Sequence, residues 1–188
     1  MPQIHAGRKA GAALAVVALI GAAPFLGAEA ASADSGLAPG TYTVSANVYV
    51  DAADAPLGVN AYVTNPNQPP AAFPTTPVSG NATLVVQSDG TELLTVPIVN
   101  QTFGVLSIAA ASDATSSVEV VSSSTVPWAT TWGGTKQRVN SVTFDVTDFA
   151  GGSAVATFSP SSEYANYLLY FGSKSWDLHL VVDFGSAS

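Results

Sequence analysis

The sequence predicts an all-β domain of antiparallel strands, and three observations carry that expectation. Apolar residues recur at every second position in several short segments, most clearly from Tyr42 to Val50 and from Trp176 to Phe184. Turn signals such as Pro39-Gly40, Asp89-Gly90 and Gly151-Gly152 separate these segments. Beyond the N-terminal leader, no stretch sustains a 3.6-residue apolar period.

The leader reads as a secretory signal over residues 1–33. Arg8 and Lys9 form a positive start, Ala10 to Leu26 is almost wholly apolar, and Ala31-Ser32-Ala33 supplies a small-residue cleavage site before Asp34. The apolar run is short for a membrane span, so the expectation is a secreted, extracellular domain over 34–188 with no span left after cleavage. Arg8 is followed by lysine rather than a second arginine, and there is no cysteine to carry a lipid anchor. The end of the chain shows no sorting motif, which favours free secretion.

Taken in order, Thr41 to Asp51 is the clearest strand, with Tyr42, Val44, Ala46, Val48 and Val50 on one face. Asp51 to Gly58 interrupts it as a single helical turn, and Val59 to Thr64 resumes as a short strand. Asn65 to Val78 holds five prolines and reads as a stiff surface loop, because proline cannot donate to a strand ladder. Asn81–Ser88 and Thr91–Val99 make a hairpin around Asp89-Gly90, with Pro97 implying an edge position or a bulge. Phe103–Ala109 and Val118–Ser123 read as strands joined by a Ser/Ala/Asp linker. Thr125–Thr135, with Trp128 and Trp132, reads as an aromatic loop. Arg138–Val146, Ser153–Ser159 and Trp176–Phe184 complete the set. About eight or nine short strands at this spacing fit an immunoglobulin-like antiparallel β-sandwich.

Composition excludes several kinds of function. From Asp34 onward three basic residues face twelve acidic ones, a net charge of −9 against −8 for the whole chain. That balance opposes nucleic-acid binding, which depends on Lys and Arg neutralising phosphates, and adsorption to anionic membranes. With no cysteine, disulfides and thiolate chemistry are absent, and the core alone must hold the fold. One histidine, His179, remains after the leader; it lies on the polar face of its strand beside Asp177 and reads as a surface residue. With a single imidazole and no Gly-x-Ser-x-Gly elbow, the chain is expected not to be an enzyme. The carboxylates Glu163 and Asp177 have no spacing that marks them as a glycosidase pair. Asp51 and Asp54 match no EF-hand spacing, and Asn81-Ala-Thr and Asn100-Gln-Thr fit the frequent glycosylation pattern.

The candidate site is the segment before the last strand, where Tyr164, Tyr167, Tyr170 and Phe171 precede Trp176. The three tyrosines share a Tyr-x-x-Tyr-x-x-Tyr spacing that suits one face of a helical turn. They read either as an aromatic-ligand pocket or as an amphipathic turn capping the end of the domain. Trp128 and Trp132 read either as a sugar- or partner-binding platform or, preferably, as a plug under a long loop.

Three stretches resemble the NEAT domains, immunoglobulin-like modules of Gram-positive bacteria that capture heme or hemoproteins. Leu37-Ala-Pro-Gly-Thr-Tyr-Thr-Val44 is similar to the family's first strand. Asp54-Ala-Pro-Leu-Gly-Val-Asn-Ala-Tyr62 stands where the family has a short helix over heme, and Val142–Val146, Ser153–Ser159 and Trp176–Leu180 resemble its last three strands. The resemblance implies heme as cofactor or a hemoprotein as partner, at a site that Leu57 and Tyr62 would share with the Tyr164–Trp176 segment. The chain departs from the family at the Tyr-x-x-x-Tyr heme motif, where it has Gly172 and Trp176. The second expectation is a structural or adhesive domain that meets an envelope or host protein and holds no small molecule.

Overall fold

The computed structural model describes residues 35–55, 57–66, 74–101, 104–109, 118–129, 134–149, 152–156, 162–163, 173–174 and 177–188, all within one unit, Ala31–Ser188. The leader and the Ser/Ala/Asp linker lie outside the described residues. Strands are β1 (Gly40–Val50), β2 (Ala61–Tyr62), β3 (Ala82–Val86), β4 (Glu92–Pro97), β5 (Glu119–Ala129), β6 (Thr135–Asp145), β7 (Gly152–Ala156), β8 (Ser162–Glu163), β9 (Ser173–Lys174) and β10 (Leu178–Asp183). Seven of them are five residues or longer, and every pairing is antiparallel. The only described helical segment of three residues or more is a 3-10 turn at Phe184–Ser186. No described helix is long and apolar enough to cross a membrane.

The pairing order is β5-β6-β4-β3-β1-β10-β7, and β1 is the strand that joins its two halves. Gly40–Val44 pairs with β3, whereas Ser45–Val50 pairs with β10. The edges left over are also satisfied. Where β3 ends, the Asn81 side chain takes over its ladder: Ala46 N–H donates to Asn81 Oδ1 (3.1 Å) and Asn81 Nδ2 donates to Ala46 O (2.6 Å). Val63 N–H then donates to Val48 O, and β2 pairs with Tyr49 and Val50. On the other side Thr43 exchanges two backbone bonds with Ser188, and Ser45 N–H donates to Ser186 Oγ. Buried backbone groups left unpaired are costly, so this complete pairing is what lets β1 run through the interior.

Alternation puts Val44, Ala46, Val48 and Val50 of β1 into one hydrophobic cluster with Leu84, Leu94, Val96, Val142, Phe144, Leu178 and Leu180. Each fully buried side chain of this size stabilises by roughly 1.5–3 kcal/mol relative to exposure, an upper estimate that chain entropy opposes. The Asp51 turn forms as expected, with Asp54 and Ala55 N–H both donating to Asp51 O. The β3–β4 hairpin turns at Gly90, whose φ of 89° only glycine adopts without strain.

Four sequence expectations are corrected. Gly104–Ala109 is not a strand; it lies against β6, and Val105 O accepts from Val139 N–H (2.7 Å). Val59–Thr64 contributes only two strand residues, since Asn60 is held elsewhere, accepting from Ala52 N–H. Thr125–Ala129 is not a loop but the second half of β5, paired with Thr135–Val139. Its Pro127 and Trp128 hid a strand in which only Trp128 is buried. Pro97 sits on an interior strand, β4. Ile98 N–H donates to Asn140 O toward β6, so the alternate residue Pro97 faces β3, whose pairing has already stopped at Thr95. A proline there removes no ladder bond.

Candidate functional site

The outward face of β1 carries the site. Because Val48 and Val50 point into the core, Tyr49 points away from it, and register sets it directly opposite Tyr62 of β2 and His179 of β10. The Tyr49 and Tyr62 ring centroids are 5.3 Å apart at 44°, and those of Tyr49 and His179 are 5.2 Å apart at 25°. Three half-buried rings therefore stand in a row across three strands, at the short distances of directly paired residues.

A polar network fixes the β2 end of this row from below. Asn47, next on the same face of β1, is buried; its Nδ2 donates to Val78 O (2.9 Å) and its Oδ1 accepts from Val78 N–H (3.0 Å) and Thr64 Oγ1 (2.8 Å). Asn65 Nδ2 donates to Thr76 O, Asn100 Nδ2 donates to Asn65 O, and Tyr62 N–H donates to Pro74 O. Asn47, Asn65 and the Tyr62 N–H thus hold the 74–78 segment against β1 and β2. Between Tyr49 and Tyr62 the chain runs through the loop that holds Leu57, 57% exposed, and Val59, 42% exposed. These are two of the four large hydrophobic side chains exposed among the described residues.

Electrostatics keep the central ring neutral. Burial first, then the charge of Asp51, then Tyr62, raise the Tyr49 pKa above its ordinary value of 10.0. Desolvation and a nearby negative charge both disfavour a phenolate. Tyr49 is thus an apolar ring with a hydroxyl held in its neutral form, suited to stacking and to donating a hydrogen bond. His179 supplies the one imidazole of the row. Among the described residues no group of three or more His, Cys, Asp or Glu side chains is placed to hold a metal ion.

Of the residues singled out in sequence, Tyr62 is in the row and Leu57 lies on the adjoining loop. Tyr164, Tyr167, Tyr170, Phe171 and Trp176 lie outside the described residues, as does Trp132. Trp128 is the plug of the two readings offered for it: only 4% exposed, with its six-membered ring lying over Gly104. Sequence reasoning did not select Tyr49, and it left His179 as an isolated surface residue. Each has a visible outward parity on its own strand, but the pairing of the first long strand with the last is what unites them. No family model matches the chain, nor does any curated protein or solved structure.

Proposed function

We propose that the mature chain is an exported binding module, not an enzyme, that takes a flat, largely apolar ligand on the Tyr62–Tyr49–His179 face. The observation that supports it is a ring row anchored from below by buried asparagines and joined by a loop with exposed Leu57 and Val59. Solvated aromatic rings held rigid lose little entropy when a planar partner covers them. Heme is the ligand that the NEAT resemblance implies, either free or carried by a hemoprotein. Toward heme the described residues offer the His179 imidazole as an axial donor and Tyr49 and Tyr62 as flanking rings. The protonated Tyr49 phenol fits a supporting role, not that of the iron-bound oxygen. The architecture that suits this reading is an immunoglobulin-like sandwich: β1 hands over from one group of strands to another while both contribute to a single core cluster.

Titrating the purified chain with hemin tests the reading. A saturable Soret shift is expected, weakened by about tenfold or more in affinity when His179 becomes Ala and also when Tyr49 becomes Leu. No spectral change in the native chain, or an unchanged titration in both variants, would remove heme from this face.

A second reading, a structural or adhesive domain, has its own support in the long β5 strand, which among the described residues is paired on one side only. It predicts no hemin response together with retention of envelope or host protein.

A further inference from the structure

We propose that β5 pairs antiparallel with the β5 of a second copy of this chain, forming a closed two-fold dimer. β5 ends the strand order, runs for 11 residues and, among the described residues, bonds only to β6. No described residue hydrogen-bonds its other edge. Glu119, Val121, Ser122, Ser123, Ser124, Thr125, Pro127 and Ala129 are all exposed, and Val121 is 53% so. A long edge with free N–H and C=O groups is a template for another strand, and proteins normally blunt it with lysine or other charges. Here the only charge in the strand is Glu119, at its start.

The sequence of this edge says which strand fits it. Val120-Val-Ser-Ser-Ser-Thr-Val126 reads nearly the same in both directions about Ser123. Antiparallel pairing about that residue sets Ser122 against Ser124 and, across the irregularity at Val121, Val121 against Thr125 and Val120 against Val126, each with a partner of matching size. Cross-strand pairs of β-branched residues and of hydroxyls are favourable ones. The chain is acidic, at −8, so two copies repel through most contacts, while this seven-residue stretch carries no charge to oppose its own image.

The limits of the ladder are also encoded. Proline cannot occupy a hydrogen-bonded pair, so Pro127, opposite Gln137, turns its ring nitrogen outward and leaves no donor there. Two register shifts against β6 fall within this stretch: Val121 is the extra residue between Val120 and Ser122, and Asn140 of β6 is skipped between Ser124 and Thr125. Regular pairing is thus confined to the residues around Ser123. Its two-fold symmetry uses up both edges at once, giving a pair of molecules and not a filament. This surface belongs to the opposite end of the strand order from the ring row, so its failure leaves the ligand proposal standing.

The absence of cysteine makes the test clean. Ser123→Cys places a thiol at the two-fold axis, and mild oxidation is expected to give a covalent dimer about tenfold faster or more than Ser88→Cys, on the β3–β4 turn. Sedimentation of the native chain should show a concentration-dependent dimer that Ser123→Lys shifts to monomer with its far-UV spectrum unchanged. A native chain that stays monomeric at every concentration, equal cross-linking at both thiols, or a dimer that survives Ser123→Lys overturns the proposal. Should the lysine variant not fold, the two thiol variants still decide it.

Discussion

At the scale of single residues, Gly104 and Tyr49 have the sharpest consequences. Gly104 has φ +46°, and a Cβ built there would enter the Trp128 ring, 2.6 Å from Cζ3 and 2.9 Å from Cζ2. Both the backbone and the neighbouring ring therefore demand glycine, and Gly104→Ala is expected to cost about 2–4 kcal/mol, read from the urea midpoint. Tyr49 gives a pH signature. Its folded pKa is raised, so the native state keeps the proton longer than the unfolded chain. Stability is therefore intact below about pH 10 and falls as pH rises through the folded value. Absorbance at 295 nm should show a late-ionising phenol step that Tyr49→Phe removes, and a Tyr49→Phe titration identical to the native one would refute the raised Tyr49 pKa. Arg138 shows how little local sequence reveals of burial. Its Nη1 donates to Ile98 O (2.8 Å) and Val139 O (3.2 Å), and burial lowers its pKa from the ordinary value, yet nothing in Lys136-Gln-Arg138 marks it as an interior cation.

At the scale of elements, what could be read from the sequence was what alternation and turn chemistry determine. β1, the β3–β4 hairpin, the inward face of β6 and the helical turn at Asp51 all follow from period-2 apolar residues bounded by Gly, Pro and Asp. The distal half of β5 was missed because pairing with β6, and no buried apolar face, makes it a strand; of its last five residues only Trp128 is buried. Asn47 was missed for the converse reason: its parity is outward, yet Val78 and Thr64 bond its side chain and it is buried. Removing its amide strands the Val78 backbone groups and the Thr64 hydroxyl, so Asn47→Ala is expected to cost about 2–4 kcal/mol and to loosen Tyr62 as well. Urea unfolding measures the first effect. The second is read as a loss of ligand response at temperatures where the variant remains folded; an Asn47→Ala chain with native midpoint and native response would show the network to be dispensable.

At the scale of the whole molecule, β1 is bonded along both edges and buried along its inward face, whereas β5 is bonded along one edge and mostly exposed. Local opening free energy follows that contrast. Amide exchange should be slowest from Val44 to Val48 and fast along β5 in dilute solution, with β5 protection rising as concentration brings two copies together. Uniform exchange across both strands would contradict this. The strand order itself was not legible beforehand. Periodicity assigns each strand a face but not a neighbour, so the union of Tyr49 with His179 across 130 positions of chain depended on long-range register.

The bond pair between Thr43 and Ser188 has a mechanical consequence. Because these residues sit side by side at the same end of adjoining segments, tension applied between Leu37 and Ser188 opens β1 from its neighbour one rung at a time. Such peeling resists far less than the simultaneous rupture of a sheared ladder. A domain tethered through those two points would yield early under load.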